Sequence, residues 1–163
     1  MERVDYPITA AVRLLRQKKI PLEPHLYAYK ERGGTAHSAA ELRVPEHSVI
    51  KTLVMETDNR EPLLVLMHGD CEVSTKTLAR ALGVKSVSPC EAGVAQKHTG
   101  YVVGGTSPFG TRRTMPVYVE RTVFDLGKIC INGGKRGFLV SIEPAALRTL
   151  LPVTEVEVAI AGG

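Results

Sequence analysis

"SVIKTLVMETDNREPLLVLMHG", residues 48–69, holds two apolar, β-rich runs separated by the polar pentapeptide TDNRE. The runs 48–56 and 62–69 have strand length, and the break between them is short enough to fold back on itself. The pattern predicts an antiparallel hairpin. Alternation along the first run puts Lys51 on the face of Val49, Leu53 and Met55, with Ile50, Thr52 and Val54 opposite. A lysine in mid-strand is costly to bury unless an anion meets it or its face opens onto a cleft. Taken from the strand alone, a solvent-facing lysine on a wet face is the simpler reading.

Working outward, helices and strands alternate without a regular rhythm. "TAAVRLLRQKKI" (9–20) reads as a helix capped by Thr9, with Ala11, Leu14, Leu15 and Lys18 on one face and Pro21 as its stop. Residues 22–29 read as extended. Ser38 and Glu41 have capping-box spacing for a short helix. "STKTLARALG" (74–83) reads as a helix from Ser74 to Gly83, and "VKSVS" (84–88) as a short strand. Ser88, Pro89, Cys90 and Glu91 then open another helix, with proline at its first position. Further strands are expected at 100–104, 115–120, 128–132, 137–141 and 154–160, with a helix from Pro144 to Leu151. This order predicts an α+β fold with a mixed, largely antiparallel β-barrel or sheet flanked by helices, rather than a doubly wound parallel sheet.

The 163 residues suit one domain over 1–163, and the formal charge of +4 permits a polyanionic partner without demanding one. No apolar run approaches a membrane span. The start, MERVDYPITA, lacks a signal-peptide core, so a cytoplasmic protein is expected. Cys71, Cys90 and Cys130 are isolated and form no CxxC, and the five histidines show no ligand spacing. Neither a zinc site, another metal nor a cofactor is expected from these patterns. Asp70 and Cys71 read as a loop after a strand. The lack of Trp argues against a broad base-stacking platform.

Two glycine-rich stretches stand out. "GYVVGGTSPFGTRR" (100–113) combines bare backbone at Gly104 and Gly105, hydroxyls at Thr106 and Ser107, a turn stiffened by Pro108 and holding Phe109, and the pair Arg112 and Arg113. It matches neither a P-loop nor a dinucleotide fingerprint. "INGGKRGF" (131–138) is a second double-glycine turn, with Lys135 and Arg136. Taken singly, the first reads equally as a plain connection or as a loop built for close approach of a ligand; for the second, a plain hairpin tip with solvated Lys135 and Arg136 is the simpler reading, with an anion-binding turn as the alternative.

As a set, VIKTLVM, GYVVGGTSPFG and INGGKRGFLVSIEP resemble the YbaK/EbsC family of stand-alone aminoacyl-tRNA editing domains. TAAVRLLRQKKIPLEPHLY, STKTLARALGVKSV and EAGVAQKHTGYVVGG resemble it too, so the likeness covers roughly residues 7 to 152. The resemblance implies a barrel-like mixed sheet flanked by helices and hydrolysis of the ester of mischarged aminoacyl-tRNA. The turn Gly133–Gly137 points to the branch that clears cysteine from proline tRNA. Alternatives are editing of alanine or another small amino acid, and a non-catalytic tRNA-binding adaptor of the same fold.

By the same resemblance, the essential lysine falls on Lys51, with Thr52 beside it. The substrate loop falls on Gly104, Gly105, Thr106, Ser107 and Pro108, and the pocket tyrosine, in the first strand, on Tyr27. Asn132, Gly133 and Gly134 complete the substrate pocket. Arg112, Arg113, Lys135 and Arg136 would meet phosphates of the tRNA acceptor end. Two positions depart from the pattern. Asn132 stands where this branch often has Ser, and KERGGTAHS lacks a phenylalanine that some deacylases place before the short helix. The implied partners are mischarged tRNA and prolyl-tRNA synthetase.

Overall fold

The computed structural model describes residues 5–162. The predicted hairpin forms: β2 (Val49–Thr57) pairs antiparallel with β3 (Pro62–His68), with Lys51 opposite Met67. β3 is buried along its whole length, as a strand covered on both faces requires. Around it a large mixed sheet takes the order β1 (Glu23–Leu26), β8 (Phe138–Ile142), β7 (Ile129–Lys135), β2, β3, β6 (Val117–Glu120), β9 (Val153–Val156). Pairs β1–β8, β8–β7 and β2–β3 are antiparallel, whereas β7–β2, β3–β6 and β6–β9 are parallel. β5 (Val87–Pro89) adds to β2, and β10 (Ala159–Ala161) pairs with β4 (Cys71–Val73).

Helices cover the sheet. α1 (Ala10–Gln17) buries Ala11, Val12 and Leu15, with the Thr9 hydroxyl accepting from Val12 N–H as the expected cap. That helix and α5 (Ala145–Leu150) pack on the main core of Ile50, Leu64, Leu66, Phe109, Ile131 and Phe138. α3 (Thr75–Leu82) begins at the Ser74 cap, ends at left-handed Gly83, and covers Met55, Val65 and Met67. α2 (Gly34–Leu42) covers a third, smaller core of Val49, Cys130 and Leu139.

Four expectations are corrected. α2 starts four residues before the capping-box serine: the Ser38 hydroxyl is interior and bonds back to the carbonyls of Gly34 and Thr35. Pro89 does not open a helix but ends β5, where an edge strand can spare its missing N–H. α4 (Ala92–Thr99) begins after Glu91. Residues 100–104 are not a strand; Val102 and Val103 lie about half exposed in a loop. The stretch 154–160 breaks in two because the buried Glu120 carboxylate accepts from the N–H groups of Val158 and Ala159.

Candidate active site

The sheet splits beside Lys51. β2 pairs with β7 only at Val49 and Ile50, and with β5 only over Met55–Thr57. The edge of β2 over 51–53 therefore faces a gap. Lys51 shares its face with Val49, which packs under α2, and with Leu53 and Met55, which pack under α3. Its ammonium leaves between these two small cores, so the cost of burying a charge is not incurred. It donates to the Gly69 carbonyl at 3.5 Å, a long contact that a ligand can replace.

A cavity of about 450 Å³ opens here. Its walls include Tyr27, Lys51, Thr52, Gly104, Thr106, Asn132 and Arg136, residues from four separate segments of the chain. Lys30, Arg32, Lys51 and Arg136 outnumber Glu31 on the lining, so the cavity is positive. Tyr27 lies just past the end of β1 rather than in it, and its N–H donates to the Gly137 carbonyl. Burial pushes the Tyr27 phenol above its usual pKa, so at neutral pH it is a neutral donor. Thr52 presents the one buried side-chain oxygen among the described residues that no protein group partners.

The two double-glycine stretches pack against each other. A Cβ on Gly105 would lie 2.9 Å from Arg136 N and 3.0 Å from the Lys135 carbonyl carbon. One on Gly104, whose φ is +88°, would lie 2.7 Å from the Tyr29 hydroxyl. Asn132 Nδ2 donates to the Gly104 carbonyl at 3.1 Å, while its Oδ1 accepts from Gly134 and Lys135 N–H. Arg136 Nε donates to the Val103 carbonyl at 2.8 Å, with its guanidinium carbon 5.2 Å from the Tyr29 ring centre. The glycines therefore serve a close approach of loop to turn.

Several residues expected at the site lie elsewhere. Gly105 is buried and its N–H donates to the Val102 carbonyl, so it has no free donor for an oxyanion. Ser107 is fully buried and accepts from Phe109 N–H. Pro108 is buried with it, and Phe109 is a core residue whose carbonyl accepts from the Tyr101 hydroxyl at 2.6 Å. These residues anchor the loop rather than line the cavity. Gly133 packs under the Phe138 ring and its carbonyl accepts from the Thr9 hydroxyl, and Gly134 takes a positive φ beside Tyr101. Lys135, Arg112 and Arg113 are exposed and off the cavity wall; the N–H groups of Arg112 and Arg113 close the loop onto the carbonyls of Thr99 and His98.

Tyr29, Lys30, Arg32, Thr35, His37 and Ser38 line the cavity, although none was expected at the site and Ser38 was read only as a helix cap. All sit in or next to KERGGTAHS, where the sequence signals were a capping-box serine and a missing phenylalanine, neither pointing to a ligand. His37 Nε2 contacts the Ala28 carbonyl at 2.7 Å, and its ring meets Tyr27 edge-on at 5.9 Å.

A mixed sheet split beside half-buried Lys51, with a positively charged, largely apolar cleft bordered by a glycine loop, has the form of a small-ligand pocket rather than a flat nucleic-acid platform. The chain belongs to the aminoacyl-tRNA editing domain family, whose pattern matches residues 31–150. It is 32% identical over 143 residues to EbsC of Enterococcus faecalis, a candidate Cys-tRNA(Pro)/Cys-tRNA(Cys) deacylase, with 87% of each chain covered. It is 26% identical over 86 residues to a proline–tRNA ligase of Brachyspira hyodysenteriae, matching 53% of this chain and 15% of the ligase. Among solved structures, a candidate trans-editing enzyme for prolyl-tRNA synthetase superposes with a TM-score of 0.81 at 17% identity, over 96% of this chain and all of that one. Among the described residues, no helix is long and apolar enough to cross a membrane.

Proposed function

We propose that this protein is a trans-editing deacylase that hydrolyses the ester of mischarged aminoacyl-tRNA, with Cys-tRNA(Pro) as the preferred substrate and prolyl-tRNA synthetase as the enzyme whose errors it clears. The observation that carries the reading is Lys51 at the open edge of β2, facing a positive cavity of about 450 Å³. That volume suits an aminoacyl group and part of the terminal adenosine, and the cavity leaves the tRNA body outside. Likeness to EbsC supports cysteine on tRNA(Pro).

An aminoacyl ester is already activated, so positioning and charge stabilisation suffice without a strong enzyme nucleophile. The Lys51 ammonium, released from the Gly69 carbonyl, offsets charge on the ester oxygen. The Thr52 hydroxyl and neutral Tyr27 phenol supply hydrogen bonds, and Arg136 with Lys30 and Arg32 faces the terminal phosphates. For cysteine, the substrate's own thiol gives up its proton, attacks its ester carbonyl and expels the ribose oxygen, which takes up a proton; water then opens the resulting cyclic thioester to free cysteine.

The test is deacylation of tRNA(Pro) charged separately with Cys, Ala, Ser and Pro, by wild type and Lys51→Ala. We expect cysteine to be released fastest and Lys51→Ala to lose about 10²–10³-fold in rate, the usual cost of removing one such stabiliser. Near-wild-type turnover by folded Lys51→Ala overturns the site. Equal or faster loss of alanine overturns the cysteine assignment and leaves the site standing.

A further inference from the structure

Outside the cavity, tertiary structure assembles a group of side chains that the sequence keeps apart. His47, in the 3-10 turn before β2, meets Asp70 and Cys71 after β3, and one donor atom from each lies within 4.8 Å of the others. His47 Nδ1 is 2.8 Å from Asp70 Oδ1, and Cys71 Sγ is 3.6 Å from that same oxygen. All three remain open to solvent or half-buried. We propose that His47, Asp70 and Cys71 form a binding site for a thiophilic divalent cation of the zinc class, with solvent in the fourth position.

The donor chemistry is selective. Imidazole, thiolate and carboxylate together suit zinc or cobalt and discriminate against magnesium and calcium. Tetrahedral coordination at ordinary bond lengths places such donors about 3.5 Å apart, within reach of side-chain rotation from the distances observed. The His47 ring is stacked on His68 at 3.6 Å and 8°. His68 is in turn fixed by the His47 carbonyl and the Thr122 hydroxyl, each at 2.7 Å.

The Gly69–Asp70 turn is tied on both sides by backbone bonds. Gly69 N–H donates to the Val49 carbonyl and Gly162 N–H to the Asp70 carbonyl. Thr35 Oγ1 and Lys51 Nζ both donate to the Gly69 carbonyl. β10 holds Cys71 in register with Ala161. These contacts fix the backbone that carries Asp70 and Cys71, and the stack on His68 fixes the plane of the His47 ring. In the metal-free protein a carboxylate can only accept, so His47 Nδ1 carries the proton. Binding sends the Cys71 thiol proton to solvent and turns His47 to its Nε2–H tautomer, which frees Nδ1 to ligate.

The proposal rests on this geometry and not on the deacylase reading. Its test is titration of reduced, tag-free, metal-free protein with Co²⁺. A thiolate-to-cobalt charge-transfer band in the near ultraviolet, saturating at one equivalent and displaced by Zn²⁺, is expected. The band should vanish in Cys71→Ser and persist in Cys90→Ser. His47→Gln and Asp70→Asn should weaken binding by at least about tenfold. In wild type, one equivalent of Zn²⁺ should also slow alkylation of Cys71, read by mass spectrometry, which serves if Cys71→Ser fails to fold. Absence of the band, its survival in Cys71→Ser, or alkylation of Cys71 unaffected by Zn²⁺ overturns the proposal.

Discussion

Replacing Gly105 by alanine tests whether the double glycine exists for the contact between loop and turn. The added Cβ would lie 2.9, 3.0 and 3.1 Å from Arg136 N, Lys135 C and Lys135 Cα, against 3.4 Å or more for ordinary contact. All three atoms are backbone of the β7–β8 turn, so no side chain can swing aside. Loop and turn must part by about 0.5 Å at the closest pair. Overpacking of this kind costs about 1–3 kcal/mol. At about 2–4 °C per kcal/mol for a chain of this size, Tm should fall by about 2–12 °C. The same parting stretches the bonds from Asn132 to Gly104 and from Arg136 to Val103, which set one wall of the cavity. A misplacement of about 1 Å can cost 10²-fold, so half that distance should lower kcat/KM by about 10-fold. Thermal unfolding and initial deacylation rates measure the two effects. Gly93 in α4 is the control: a Cβ there meets nothing within 4 Å, so Gly93→Ala should gain about 0.5–1 kcal/mol and keep activity. A Gly105→Ala protein with wild-type Tm and turnover would refute the argument.

Thr52→Val should raise stability by about 1 kcal/mol, because it removes a buried hydroxyl that no protein group satisfies; deacylation should fall in the same variant, and undiminished turnover would free Thr52 of any part in binding. Arg136→Lys keeps the charge but not the planar contact with Tyr29 and Val103. It should lose as much kcat/KM as Arg136→Ala with an unchanged salt slope, whereas rescue by lysine would make Arg136 a phosphate contact only. Burial pushes the Tyr101 phenol up to about 12, from 10.0. Because this acid ionises later in the folded state, its contribution is complete below pH 10 and is lost as pH rises from about 10 to 12. Denaturant unfolding should show stability falling across that window in wild type and a shallower fall in Tyr101→Phe; equal slopes count against the burial argument.

Local chemistry determined much of the fold in advance. The hairpin of β2 and β3, the Thr9 and Ser74 caps and the Gly83 stop depend on residues adjacent in sequence, and each formed where expected. Alternation along β2 also gave the correct face for Lys51, since period two is a property of the strand itself. What failed was local signal overruled by distant contacts. Val102 and Val103 read as a strand, but Tyr101 and Phe109 are the residues drawn into the core, and the valines between them are left in a loop. Pro89 read as a helix start until β2 claimed it as an edge partner. Ser107 and Gly105 read as ligand groups because a sequence cannot show which backbone a bare glycine approaches; here it approaches the β7–β8 turn. The cavity wall of KERGGTAHS and the meeting of His47 with Asp70 and Cys71 were decided by tertiary structure alone. Both join segments that come within a few ångströms only after the sheet has folded, and no spacing in the chain records that distance.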